Sequence, residues 1–334
     1  MTSRHLTRRG LAACGAILAA SSPLAALELV VPVACEVGTS CFIQQYMDHD
    51  PSPEARDYAC GTAAYDDHDG TDFRLRTTRD AEQGVAVLAA AAGRVTAQRD
   101  GMADRLRRTP EDMERIADRE CGNGVVIDHG DGWETQYCHL RRGSLTVEVG
   151  NQVKAGGKIG EIGYSGAAAF PHLHLAVRQD GEPVDPFLGP AGTPEACGAD
   201  ARPLWSPAAL PELGYEAGEV LDIGFAEGPV ELARAETGAV QETIPDRRSP
   251  AIVAWGWAIN LQADDEIVVG LSGPDGGELA RNTTTLDRNK AQYLLFAGVR
   301  RPGTGWPAGL YTASFTVWRA GEPVVEGERE LVIE

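Results

Sequence analysis

Beyond its first 30 residues the chain has no apolar run long enough to cross a bilayer. It has no C-x-x-C pair of the kind that builds a zinc–thiolate cluster. Cationic residues are scarce as well: 30 Lys and Arg stand against 49 Asp and Glu, a net charge of −19. Such a surface argues against nucleic acid and anionic membranes as partners, and says nothing about fold. From about Leu213 onward there is neither cysteine nor histidine, so that region offers no legible constellation for chemistry.

The N-terminus differs. Arg4, Arg8 and Arg9 precede an uncharged apolar stretch from Leu11 to Leu27, the layout of an export signal spanning residues 1–26. "TRRGLAA" fits a twin-arginine signal and a Sec signal equally well. Cys14 in "LAAC" stands before the apolar region and not after it, which speaks against a lipid anchor. Removing Arg4, Arg8 and Arg9 from the 30 basic residues leaves 27 against 49 acidic ones, or −22. Cleavage also turns seven cysteines into six: Cys35, Cys41, Cys60, Cys121, Cys138 and Cys197. An even number in an exported chain points to disulfides in an oxidising compartment. Cys121 and Cys138 flank an expected hairpin and are the favoured pair, while the other pairings stay open.

Composition divides the rest. Residues 27–63 form a cysteine-bearing lead-in. Residues 64–190 are glycine-punctuated and strand-rich; "GVAVLAAAAGRVTAQ" and "GNGVVIDHGDGWETQYCHL" both read as strand–turn–strand. A densely charged insertion at about 100–120 interrupts them, with a helix expected over Pro110–Arg119 and Thr109 as its N-cap. Residues 191–212, rich in Ala, Gly and Pro, read as a linker. Residues 213–334 carry short alternating runs such as "AIVAWGWAI" and "YTASFTVWRA", which suggest a small β-sandwich. Trp255 and Trp257 are two apart and share a strand face; core packing is the expected explanation. "NTT" at Asn282 matches a glycosylation acceptor, a pattern common by chance.

Chemistry concentrates in the histidines. "DDHDGTDF" places His68 four residues before Asp72, "QYCHL" ends a strand on His139, and "FPHLHLAVR" sets His172 and His174 on one strand face. Imidazole with carboxylate suits zinc, and a catalytic zinc takes three protein ligands. His68, Asp72 and one member of the "HLH" pair would supply them, leaving the other histidines for proton transfer. Each fragment alone is weak: H-x-x-x-D is usually a capped turn, and an "HLH" pair can simply be buried against backbone.

Taken together, the fragments "HDGTD", "GNGVVIDHGDGWETQYCHL", "VEVGNQVKAGGKIGEIGYSG" and "PHLHLAVR" resemble the lysostaphin and LytM family of zinc endopeptidases. The likeness covers roughly Ala64 to Gly189. It implies a mainly β fold, the antiparallel duplicated hybrid motif, followed here by the sandwich. It also implies one zinc ion held by His68, Asp72 and His174. His139 and His172 then match the two histidines that orient or deprotonate the attacking water and stabilise the oxyanion. His129 matches a structural position and, like His49, is left outside the site. The reaction implied is hydrolysis of peptide cross-links of bacterial cell-wall peptidoglycan by zinc-activated water. The substrate would be peptidoglycan peptide stems in the periplasm, with no membrane anchor once the signal is removed.

Three other readings compete. Some relatives of this kind have lost their ligands and act as non-enzymatic regulators of other wall hydrolases, but all five residues persist here. The glycine-spaced "VGNQVKAGGKIGEIG" also resembles the turn of lipoyl and biotinyl carriers; Lys154 and Lys158 have strand-like spacing and no adjacent methionine, which excludes that function. In a third, the C-terminal unit binds a partner or glycan and the peptidase is auxiliary.

Overall fold

The computed structural model describes residues 1–2 and 27–334, so the expected export signal and Cys14 lie outside the described residues. The hairpin at its centre follows from local chemistry. Gly130, Asp131 and Gly132 all take positive φ (84°, 52° and 79°), a tight left-handed turn that glycine and aspartate tolerate. It joins β5 (Asn123–Gly130) to β6 (Trp133–Leu140) as antiparallel neighbours. The earlier strands are β1 (Cys41–Gln45), β2 (Thr71–Leu75), β3 (Ala86–Leu88) and β4 (Gly93–Arg99). Later come β7 (Gln152–Val153), β8 (Lys158–Glu161), β9 (His172–Gln179) and β10 (Glu182–Pro183).

These strands form one sheet in the order β1-β2-β9-β6-β5-β4-β7, with β10 folding back on β9 and a separate pair β3-β8. The β3 and β4 segments therefore do not pair with each other. β3 joins β8 while β4 joins β5, because the apolar "AAAA" stretch between them crosses the core instead of turning on itself. The lead-in is part of the same sheet, since β1 is its edge strand. Helix α1 (Thr78–Gln83) follows β2, and α2 (Pro110–Ile116) lies within the insertion. Thr109 caps α2 in a reciprocal box with Asp112, and the helix stops at Ile116, short of Arg119. Such a cap is worth about 1 kcal/mol.

Disulfides join Cys35 to Cys41, Cys60 to Cys197 and Cys121 to Cys138. The second ties the lead-in to residues 191–212. That segment also pairs Trp205 with Leu29 and buries Leu204 and Trp205 in the core of the first unit.

After α3 (Leu232–Glu236), preceded by β11 (Glu219–Ala226), come β12 (Ala251–Leu261), β13 (Glu266–Ser272), β14 (Glu278–Thr285), β15 (Lys290–Arg300), β16 (Gly309–Arg319) and β17 (Glu322–Ile333). They build a three-stranded sheet β11-β12-β15 and a four-stranded sheet β14-β13-β16-β17 around a shared apolar cluster. Period-2 alternation splits β12. Ile252, Ala254 and Ala258 face that cluster, whereas Val253, Trp255, Trp257 and Ile259 face outward against α3 and Phe42 of β1. The two tryptophans are thus buried at 1% and 0% exposure, but in the seam between the units and not in the core of the sandwich.

Candidate metal centre

The central strands present alternate residues to opposite faces. Phe73 and Leu75 of β2, with Leu173, Leu175 and Val177 of β9, point into the apolar core. Asp72, Arg74, His172 and His174 therefore share the other face. Antiparallel register sets Asp72 opposite His174 and Arg74 opposite His172. On β6 the core residues are Trp133 and Tyr137, so strict alternation would carry His139 into the core. Instead His139 takes a left-handed φ of 63°, and Leu140 occupies the core position. The flip brings the His139 ring to 4.5 Å from that of His172, between centroids. A non-glycine residue in this region costs on the order of 1 kcal/mol, so the surroundings must hold it. They do: the His139 amide donates to the Cys121 carbonyl, and Cys121 is disulfide-bonded to Cys138.

His68 Nε2, Asp72 Oδ1 and His174 Nδ1 converge. The separations are 3.2 Å (His68–Asp72), 3.1 Å (His68–His174) and 3.0 Å (His174–Asp72). These three residues form a group whose ligand atoms all lie within 4.8 Å of one another. The outer nitrogen of each ring faces a group that can only accept. His68 Nδ1 donates to the Tyr46 carbonyl at 2.7 Å, and His174 Nε2 donates to the Asp69 carboxylate at 3.2 Å. Each inner nitrogen of a neutral ring is then a lone pair, so three acceptors confront one another out of water. With both rings neutral the three atoms could hold a cation between them, and two imidazoles with a carboxylate are a donor set suited to zinc.

Without a metal, a proton on His174 supplies the positive charge at this cluster. Burial pushes the His174 pKa down, but its hydrogen bonds to Asp69 and Asp72 and their charges outweigh this and lift it to about 9. Burial acts to raise Asp72, yet His68, His172 and His174 hold it well below the usual carboxylate range. The hydrogen bond from His174 brings Asp69 to about 2. His139 and His172 go the other way. Burial, joined for His139 by the neighbouring His172 and His174, lowers both and keeps them neutral. Each also has a fixed tautomer, because His139 Nδ1 donates to the Ser165 carbonyl and His172 Nδ1 to the Phe170 carbonyl, both at 2.8 Å. The basic Nε2 atom of each ring is left for the site, that of His172 lying 3.6 Å from Asp72 Oδ1.

All five residues singled out in the sequence thus meet in one place. His129 bonds to the Ala92 carbonyl and Thr135, and His49 pairs with Asp185 at 2.7 Å, both outside the site. The supporting residues were not foreseen. Asp69, inside "HDGTD", is anchored by Arg178 at 2.8 Å, which also donates to Gln136. The insertion is tied to neighbouring loops: Asp104 accepts from the amides of Arg142 and Tyr164, and the Arg107 amide donates to the Ala168 carbonyl. It therefore braces the loop that carries Ser165.

An antiparallel β scaffold that gathers a His-Asp-His acceptor set beside two neutral imidazoles has the layout of a metallopeptidase centre. Residues 66–186 match the model of Peptidase family M23. The chain is 40% identical over 79 residues to the DD-carboxypeptidase/endopeptidase Mpg of Neisseria meningitidis serogroup B, covering 24% of this chain and 18% of that protein. It is 41% identical over 64 residues to the peptidoglycan DD-endopeptidase ShyA of Vibrio cholerae, covering 19% and 14%. The match thus spans less than a fifth of the length of these relatives. A zinc-containing peptidase from Vibrio cholerae superposes with a TM-score of 0.33 at 26% identity, over 48% of this chain and 39% of that one.

Proposed function

We propose that the chain is an exported zinc metalloendopeptidase that hydrolyses the peptide cross-links of peptidoglycan. The observation that carries this reading is the meeting of three acceptor atoms, from His68, Asp72 and His174, next to two neutral histidines of fixed tautomer. His68, Asp72 and His174 would hold one zinc ion per chain. When bound, zinc lowers the pKa of water toward neutrality and polarises a carbonyl.

The remaining work falls to this chain's own groups. His139 or His172 receives a proton at Nε2 as the attacking water forms its bond to the scissile carbonyl carbon. The same proton then passes to the leaving amine as the C–N bond breaks. The second imidazole would take a proton from solvent at Nε2 and so present an N–H to the developing oxyanion. Asp69 keeps the His174 ring turned with Nδ1 inward. The presence of all five residues favours an enzyme over a non-catalytic regulator of other hydrolases. Three disulfides and the N-terminal apolar stretch support export to an oxidising compartment, with the periplasm as the favoured location.

The test is digestion of isolated sacculi with the purified mature protein, followed by mass analysis of the muropeptides. Loss of cross-linked species with release of new amino termini supports the proposal. Unchanged muropeptides from protein loaded with zinc would refute it.

A further inference from the structure

Arg74 is a fully buried cation, at 0% exposure, with no carboxylate in direct contact. Its Nη1 donates to Gln44 Oε1 and its Nη2 to Gln292 Oε1, the latter at 3.0 Å. The guanidinium lies between two aromatic faces, 4.5 Å from the Phe170 ring and 4.9 Å from the Trp257 ring. Burying an arginine without a directly paired acid is costly, and amide oxygens and ring quadrupoles offset the cost only when their geometry is fixed. Two of these four neighbours, Gln292 and Trp257, belong to the C-terminal sandwich.

The other side of the stack reaches the catalytic strand. Arg74 is the cross-strand partner of His172. The Phe170 ring that it covers packs on the His172 ring at 4.6 Å, and the Phe170 carbonyl fixes the His172 tautomer. A second line runs from the same place. Gln292 Nε2 donates to Glu236 of α3, and Glu236, itself buried, binds Arg108 of the insertion through both carboxylate oxygens. The loop beside His172 and the insertion are both fastened to the sandwich.

We propose that the sandwich is a structural half of the catalytic centre: through Trp257 and Gln292 it clamps Arg74, which through Phe170 holds the His172 imidazole in place. Arg74 is thus a positioning residue, and the C-terminal unit sets the rate without touching substrate. The inference rests on the catalytic reading of His172 in its kinetic consequence only. The clamp itself is independent of any reaction.

The test uses the full chain with Arg74→Met, Arg74→Lys and Gln292→Leu, the last at a half-buried position that spares the fold if Arg74→Met does not. Zinc content, kcat and KM on cross-linked muropeptides, and hydrogen exchange are measured for each. Arg74→Met and Gln292→Leu should lower kcat about tenfold or more at unchanged KM and zinc content, with Arg74→Lys recovering part of the rate. Amides of residues 170–174 should exchange at least about tenfold faster while those of 125–137 keep their protection. The exchange arm needs no substrate, so it decides on the clamp even if the wild-type protein proves inactive. Wild-type exchange at 170–174 in both variants would overturn the proposal. So would acceleration spread evenly over the sheet, or an unchanged kcat in an active enzyme.

Discussion

Asp72 of β2 and His174 of β9 are direct cross-strand partners, with Asp72 Oδ1 3.0 Å from His174 Nδ1. The pairing places a carboxylate and an imidazole from residues 102 positions apart on one sheet face, with their acceptor atoms toward each other. His68 completes the set from the loop before β2, steadied by the Tyr46 carbonyl. Backbone register therefore fixes two of the three groups, and a loop anchored on the Tyr46 carbonyl supplies the third.

His174→Ala removes one of the three proposed ligands and should abolish metal retention through gel filtration, read by elemental analysis. His139→Ala should keep about one zinc per chain and lower kcat by roughly 10²–10⁴-fold, the usual worth of a general acid–base group. Loss of metal from both variants would show that His139 is a ligand and the division of roles is wrong.

Asp69→Asn leaves a hydrogen-bond acceptor on His174 Nε2 but removes the charge. Metal affinity, measured by competition with a chromophoric chelator, should weaken about 10–100-fold, as for other residues that orient a ligand. An unchanged affinity would make Asp69 a bystander.

The metal-stripped protein should respond to pH through His174. Its folded pKa is raised from 6.5 to about 9, so the stabilisation is fully present below pH 6.5 and is lost as pH rises through about 9. The contribution is on the order of 3 kcal/mol. The Tm of the stripped protein should fall over that window. Zinc added near neutral pH should release protons, visible as buffer-dependent heats in calorimetry.

Replacing Cys121 and Cys138 together by serine opens a loop with a sequence separation of 17 and should cost about 3 kcal/mol in unfolding experiments. Because the Cys121 carbonyl holds the His139 amide in its left-handed turn, kcat should fall further than that loss of stability accounts for. Zinc content should stay constant.

Much of the site was legible because its residue types and order are rare together: "HDGTD", "QYCHL" and "HLH" named all five residues. What escaped was geometric. Period-2 alternation says that Trp255 and Trp257 share a face, but not which face looks at the sandwich core, and the seam with Phe42 was invisible. Strand β14, "ELARNTTT", is largely exposed and shows no apolar alternation, so nothing in it signalled a strand. His139 reads as an ordinary strand residue, and the positive φ that turns it to His172 has no signature in "QYCHL". Nothing in "DFRLR" marks Arg74 as buried, because its burial depends on Trp257 and Gln292, far along the chain.

The central claim is that three residues hold a metal with which this chain cuts peptidoglycan peptides. Elemental analysis of the purified mature protein, paired with amino-terminal labelling of digested sacculi, tests it most directly. About one zinc per chain and new amino termini, both lost in His174→Ala, are predicted. Protein that holds no zinc after loading, or sacculi that gain no amino termini, would contradict the account.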